Sequence, residues 1–187
     1  MGRIVVTEFV TLDGVMEDPG GAEGFEHGGW SFEISRGEEG DRFKLEETMA
    51  TEALLLGRVT YEGFAAAWPS REGEFADKFN AMPKYVVSST LEDPDWTNTT
   101  VLREVEDVEK LREQAGGELV VHGSAQLVQE LIERNLVDEL RLMVFPVMLG
   151  TGKRLFGETS GKKPLELVES KTVGDGVAIL IFKPASE

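Results

Sequence analysis

Three short runs carry the chemistry that can be read from this sequence: Gly57-Arg58-Val59-Thr60, Ser88-Ser89-Thr90 and Gly123-Ser124-Ala125. Each follows an apolar run that reads as a buried strand, and in open α/β sheets ligands gather beyond the carboxyl ends of strands. Glycine lets a phosphate approach the backbone, the hydroxyls donate to its oxygens, and Arg58 adds a fixed charge. A helix opening just after such a turn aims free amides and a positive dipole end at the same place. One turn of this kind says little, because turns are built from these residues anyway. Three in register imply a ligand with several phosphates, and a nucleotide is the economical choice.

The inventory of reactive side chains removes other chemistries. There is no cysteine, so disulfides, thiol catalysis and thiolate metal sites are out, which fits a reducing compartment. Histidines stand only at 27 and 122, too few for an HExxH or any other zinc pattern, so no metal is expected. His122 reads as a packed, hydrogen-bonded residue and His27 as a solvated one. Gly150-Thr151-Gly152-Lys153-Arg154 is not a Walker A loop, because Val147 and Arg154 occupy its glycine and hydroxyl positions. Leu155 breaks GxGxxG in the same stretch, and His122 breaks the GxSxG elbow around Ser124. A net charge of −16 repels polyanions, so nucleic acid is not expected as a partner, though one local phosphate pocket is allowed. The start, MGRIVVTEF, shows no signal-peptide core, and no apolar run is long enough to span a bilayer. The expectation is a cytoplasmic protein of one domain over 1–187, burying about 70% of its unfolded surface.

The elements that must position these turns follow from hydrophobic patterning. Ile4–Thr11 reads as a central strand, ended by Leu12-Asp13-Gly14. Asp18–Gly29 is a long, acidic, glycine-rich loop, either a lid over a substrate or a surface insertion. A helix is expected over roughly Asp41–Ala50, with Phe43, Leu45 and Met49 inward. Strands at Ala53–Leu56, Tyr85–Val87 and Thr99–Leu102 alternate with helices at Tyr61–Ala67, Phe75–Asn80 and Val105–Ala115. Glu118–His122, a helix with Ser124 as N-cap, and a strand over Glu139–Met148 form a βαβ unit. Leu165–Val173 and Val177–Phe182 close as a hairpin, with Asp-Gly supplying the positive φ angles. The fold class is α/β: a mostly parallel central sheet flanked by helices, with a C-terminal antiparallel hairpin.

With the turns and strands in this order, the chain resembles the dihydrofolate reductase-like family. It is most similar to stand-alone relatives of the C-terminal reductase domain of the riboflavin-biosynthesis deaminase-reductase. The residues that carry the likeness are Thr11-Leu12-Asp13-Gly14, Leu55–Glu62, Tyr85–Ser89, Val121–Ala125 and Leu149–Phe156. The resemblance implies an NADPH-dependent oxidoreductase, with the cofactor across the carboxyl ends of the sheet. Gly57, Arg58 and Thr60 would hold phosphates with the amides of Gly123, Ser124 and Ala125. Ser88 and Ser89 would sit near the adenosine ribose and its 2′-phosphate, which Arg58 would also meet. Val10, Thr11 and Val15 would face the nicotinamide, and Gly150 and Gly152 would close the pocket. The implied substrate is a small nitrogen heterocycle, pterin-like or like a riboflavin-pathway pyrimidine, and family relatives pair as homodimers. Leu140, Leu142, Val144 and Phe145 with Leu165–Val173 are the apolar strands offered for such pairing.

Two departures from the folate enzymes matter. Those enzymes carry two adjacent glycines where this chain has His122-Gly123, and an arginine where it has Ala125. They also carry a carboxylate in the helix before the GRxT strand, and ungapped counting places Asp41 there; Glu8 and Asp13 are rivals. Trp30, Phe32, Phe64 and Trp68 flank the inferred cleft and would stack on a planar substrate ring. The alternative is a non-catalytic nucleotide or small-molecule binding protein on the same scaffold.

Overall fold

A computed structural model describes residues 1–186. Its centre is β1 (Arg3–Thr11), buried along both faces, which suits its run of β-branched residues. β1 pairs in parallel with β5 (Glu118–His122) on one side and β6 (Glu139–Phe145) on the other. Beyond β5 lie β2 (Thr51–Gly57), β3 (Lys84–Val87) and β4 (Thr99–Leu102), all parallel. Beyond β6 the direction reverses at β8 (Val177–Pro184), and β7 (Leu165–Val173) forms the edge. The described residues thus form one 8-stranded sheet in the order β4-β3-β2-β5-β1-β6-β8-β7. β6 stops at Phe145, three residues short of the expected end, because Pro146 has no amide to donate to a ladder.

Helices cover both faces. α4 (Glu106–Gln114) and α5 (Ala125–Glu133) bury Val108, Leu127, Val128 and Leu131 against Ile4, Val6 and their neighbours. On the other face, α2 (Arg58–Ala67) and α3 (Glu74–Ala81) bury Tyr61 and Phe79 on Leu54, Leu56 and Val86. α1 (Gly37–Ala50) lies on that face too, with Phe43 against Phe145 and Met143 in a third cluster. Among the described residues, no helix is long and apolar enough to cross a membrane.

α1 departs most from the sequence reading. It starts four residues early, and its buried stripe is Gly40, Lys44, Glu47 and Thr48 rather than Phe43, Leu45 and Met49. Spacing of three and four residues makes a stripe of any composition. Lys44 and Glu47 go inward because the sheet offers them partners, Thr7 to Lys44 and Arg141 to Glu47. Phe43 and Leu45 are only half-buried, and Met49 is 37% exposed.

Two connections also differ. In the hairpin between β7 and β8, Gly174 and Gly176 take the positive φ angles, and Asp175 does not. The Asp18–Gly29 segment is a tied loop rather than a loose insertion. The Asp18 carboxylate is buried and accepts the amides of Ala22 and Phe25, while its carbonyl accepts those of Gly21 and Gly29.

Candidate active site

β5 is short, and its last pairing with β1 is Thr7 with His122. The chain leaves the sheet at Gly123 and Ser124, both left-handed with φ 62. Such a conformation is unusual for serine, and here a hydrogen-bond pair holds it. Ser124 does not cap its own helix. Its Oγ accepts the Gly57 amide at 2.7 Å and donates to Thr60 Oγ1 at 2.9 Å. One hydroxyl therefore ties the start of α5 to the start of α2. Close approach explains both glycines: a Cβ on Gly57 would meet Ser124 Oγ at 2.6 Å, and one on Gly123 would meet Thr60 Oγ1 at 2.5 Å.

α5 begins without a side-chain cap because its N-cap hydroxyl is spent between the turns, and α2 because its N-cap is Gly57. The first amides of α2 and α5 are left pointing past the carboxyl edge of the sheet. Two adjacent uncapped N-termini offer free amides and positive dipole ends to an anion. The donors are backbone amides; the Ser124 hydroxyl is already engaged.

One strand beyond β2, Ser88 is buried and its Oγ accepts the amides of Thr90 and Leu91, while Ser89 is exposed. The cation beside this turn is Arg103. Its Nη1 donates to the carbonyl oxygens of Leu91 at 2.7 Å and Ser88 at 3.4 Å. Arg58, the expected cation, instead pairs with Glu62 one turn along α2, at 2.8 Å on the exposed surface. Spacing alone accounts for that pair, since residues four apart on a helix are neighbours.

On the other side of β5 from these turns, β1 runs on to Val10 and Thr11, both buried, and Val15 is fully buried just beyond. Thr11 Oγ1 accepts the Val15 amide and donates to Asp13. Asp13 also accepts the amides of Leu149 and Gly150, and these bonds hold its carboxyl down at about 2. Asp13 is thus an ionised anchor joining the β1 turn to the Gly150 loop. Gly152, at φ 116, packs on Val15, where a Cβ would stand 2.7 Å from Val15 Cγ1. Every expected cofactor residue therefore lies along one edge of the sheet.

The expected acid and two of the aromatic residues do not lie there. Asp41 is on the outer side of α1, its side chain 66% exposed and held by Arg36 at 2.6 Å. Ungapped counting therefore lands on the outer, solvent-facing side of α1. Trp30 is a core residue, edge-on to Phe145 at 5.4 Å with its Nε1 donating to Glu17 O. Phe32 is 81% exposed on the short 3-10 turn beside it. Phe64 and Trp68 lie in an aromatic group with Phe79, and Phe64 and Phe79 both meet the His122 ring edge-on.

Below His122, α1 delivers a buried charge cluster that sequence patterning missed. Lys44 Nζ donates to Glu47 Oε1 at 2.5 Å and to Thr7 Oγ1 at 2.9 Å. Arg141 of β6 stands 3.6 Å from Glu47 Oε2 and binds Glu118 and Glu139. Burial and the nearby Lys44 charge push the His122 imidazole down to about 3, so it stands neutral. Glu47 is pulled below the ordinary carboxylate range by Lys44, against its burial. The available signal was the spacing of Gly40, Lys44, Glu47 and Thr48, a helix stripe made of polar residues.

Glu8 is the last member. It is only 7% exposed and stands one residue beyond the Thr7–His122 pairing, so its neighbour across the ladder is the Gly123 turn. Burial raises its carboxyl to about 8; the Gly123 backbone and Lys44 pull the other way. Among the described residues its Oε1 has no hydrogen-bond partner. No group of histidine and carboxylate side chains able to hold a metal ion is found among the described residues.

Comparison with known proteins gives this arrangement its place. The chain is 28% identical over 189 residues to the uncharacterised YyaP protein of Bacillus subtilis, covering 96% of this chain and 94% of that one. Among solved structures, it resembles a putative riboflavin biosynthesis protein from Shewanella sp. PV-4, with TM-score 0.78 and 18% identity over 98% and 99% of the two chains. It also resembles the NADP(H)-complexed dihydrofolate reductase of Enterococcus faecalis, with TM-score 0.64 and 17% identity over 98% and 97%. At these identities the structures speak for the fold, which is dihydrofolate reductase-like. The model of the RibD C-terminal domain matches residues 3–179, nearly the whole chain: the protein belongs to the RibD C-terminal domain family.

Proposed function

We propose that this protein is an NADPH-dependent reductase of a small nitrogen heterocycle, pterin-like or like a riboflavin-pathway pyrimidine, acting in the cytoplasm. The observation that carries the reading is the pair of uncapped helix N-termini, α2 and α5, bound together through Ser124. A dinucleotide pyrophosphate suits that pair, and membership of the RibD C-terminal domain family supports the same choice. The adenosine end would lie toward Ser88, Ser89 and Arg103, and the nicotinamide end toward Val10, Thr11, Val15, Gly150 and Gly152. When bound, the cofactor supplies the hydride. The chain aligns it, excludes water and orients the acceptor. Phe64 and the neutral His122 would bound the substrate side, with Lys44 offering the nearest cation.

A second reading, binding without turnover, draws on the placement of Asp41 on the exposed face of α1. One assay separates the two. The protein is mixed with NADPH and a panel of dihydropterins and aminopyrimidines, and absorbance at the reduced-nicotinamide band is followed. Loss of absorbance with one member of the panel is the expected result. Binding of NADPH with no loss across the panel would favour the second reading.

The protein is also proposed to be a homodimer. Leu140, Leu142 and Phe145 are buried within the chain and do not serve that purpose. What is left is the edge strand β7, where Leu165, Leu167 and Val168 are 43%, 50% and 50% exposed. A solution mass near that of a single chain at micromolar concentration would remove this part.

A further inference from the structure

The helices that share the face of His122 fall into two groups, one on either side of β5 and β1. α2 and α3 pack on β2 and β3, through Tyr61 and Phe79 against Leu54, Leu56 and Val86. α1 packs on β6 and β8, through Phe43 against Met143, Phe145 and Ile179. β5 and β1 lie between those strand pairs, so their side chains on this face form the floor between the two groups. By alternation the floor is Val120 and His122 of β5, with Val5, Thr7 and Phe9 of β1. The groups touch where α1 meets α3, and Val5 and Val120 are fully buried, with Thr7 3% exposed. His122, two residues beyond Val120 on the same face, is only half-buried. The cover therefore ends at His122, one residue before the Gly123 turn.

The polar side chains around that opening are engaged with one another, His122 excepted. Lys44 donates to Glu47 and Thr7, and Arg141 flanks Glu47. Ser124 and Thr60 hold the two turns together. The His122 ring is instead set by packing: Phe64 and Phe79 meet it edge-on, with centroids at 6.2 and 5.5 Å. Among the described residues its ring nitrogens have no hydrogen-bond partner, yet neither is sealed from solvent. An imidazole oriented by apolar contact keeps its hydrogen-bonding capacity for a ligand.

We propose that His122 hydrogen-bonds the ring of the substrate, at a cyclic amide or amidine edge, an inference that rests on the reductase reading above. Burial and the Lys44 charge hold the imidazole neutral, with its ionisation pushed down to about 3. A neutral imidazole has one donor nitrogen and one acceptor nitrogen, whereas an imidazolium has two donors. A ring edge with N–H beside C=O or C=N offers the complementary group whichever nitrogen carries the proton. The elements around His122 favour an uncharged ring. α2 and α3 bring Phe64 and Phe79, and β1 brings Thr7. α1 brings Lys44 and Glu47, whose charges oppose one another, and Arg141 of β6 stands against Glu47. The Gly123 turn that follows is the one proposed for the pyrophosphate, so a ring held here lies beside the cofactor.

The test pairs His122→Phe, which keeps a ring against Phe64 and Phe79 and removes both nitrogens, with His122→Gln, which restores a donor and an acceptor. Calorimetry follows NADPH binding, and then binding of 7,8-dihydropterin and of 5-amino-6-(5-phosphoribosylamino)uracil to the complex with NADP+, where no turnover interferes. Both variants are expected to bind NADPH within about threefold of wild type. His122→Phe should weaken the heterocycle about tenfold, the size of one hydrogen bond, and His122→Gln should regain most of that loss. A second readout keeps His122 in place. His27 and His122 are the only histidines, so untagged His27→Gln protein carries a single imidazole. Its ring-nitrogen resonances, followed by NMR after 15N labelling, should shift when the heterocycle joins the NADP+ complex. A loss under about threefold in His122→Phe, or ring-nitrogen signals that the heterocycle leaves in place, would overturn the proposal. A wild type that fails to bind NADPH, or binds it and neither heterocycle, would overturn the reductase reading, and this inference with it. Equal binding of the heterocycle by wild type and His122→Phe would overturn this inference alone.

Discussion

The two regions around the end of β5 are built on opposite plans. On the side proposed for phosphate, α2 and α5 present backbone amides, and the side chains there serve to hold one turn against the other. Beneath His122, backbone groups are spent in the sheet and the chemistry is carried by side chains: Lys44, Glu47, Arg141, and Glu8 on the far side of β1. A backbone site is cheap to keep, because helix ends leave amides free in any case. A buried side-chain site is costly, because each charge must be compensated or neutralised. The phosphate side should therefore tolerate substitution of its side chains, and the charged side should not.

The largest effect is expected at Lys44. Lys44→Met strips Glu47 of its nearest cation and leaves Arg141 at 3.6 Å as the remaining one. Breaking a buried pair from one side costs about 3–5 kcal/mol. Lys44→Met combined with Glu47→Leu should recover most of that loss, since apolar replacement of both partners is often close to neutral. Chemical denaturation of the two variants checks both values. A single substitution costing under about 1 kcal/mol would show that the cluster is solvated rather than buried.

A smaller loss is expected at Ser124. Ser124→Ala leaves the Gly57 amide and Thr60 hydroxyl without their shared partner, at about 1–3 kcal/mol. NADPH affinity should fall only several-fold, because the amides that would meet the phosphates remain. A complete loss of binding would mean that the hydroxyl itself holds the anion.

These two regions also differ in how far the sequence disclosed them. The turns at Gly57, Thr60, Gly123 and Ser124 were legible as turns because each follows an apolar run and a turn is local. Even so, the bond joining the two turns spans residues 64 positions apart and could not be read. The strands were legible from apolar runs, but their order in the sheet depends on long-range pairing and was not read. The charged cluster was not, because an acidic helix with lysine looks like a solvated face until the sheet beneath it is known. Asp41 and Lys44 differ by three residues, less than one helical turn, yet one meets water and the other Thr7. Arg103 was missed for a similar reason: the turn it serves belongs to the neighbouring strand.

The smallest effects are expected at the two arginines near the proposed adenosine end. Arg103→Ala should weaken NADPH about tenfold more than NADH, as one charge-assisted contact to the 2′-phosphate is worth about 1.5–3 kcal/mol. Arg58→Ala removes an exposed pair with Glu62 worth about 0.3–0.5 kcal/mol and should change the two cofactors alike. The reverse ranking would return the 2′-phosphate to Arg58.

The central claim is that the joined starts of α2 and α5 hold a dinucleotide pyrophosphate. Its most direct test is a fluorescence titration of NADPH into the wild-type protein, repeated with inorganic pyrophosphate present. The account predicts saturable binding in the micromolar range that pyrophosphate displaces competitively. No saturable binding up to millimolar NADPH, or binding indifferent to pyrophosphate, would contradict it.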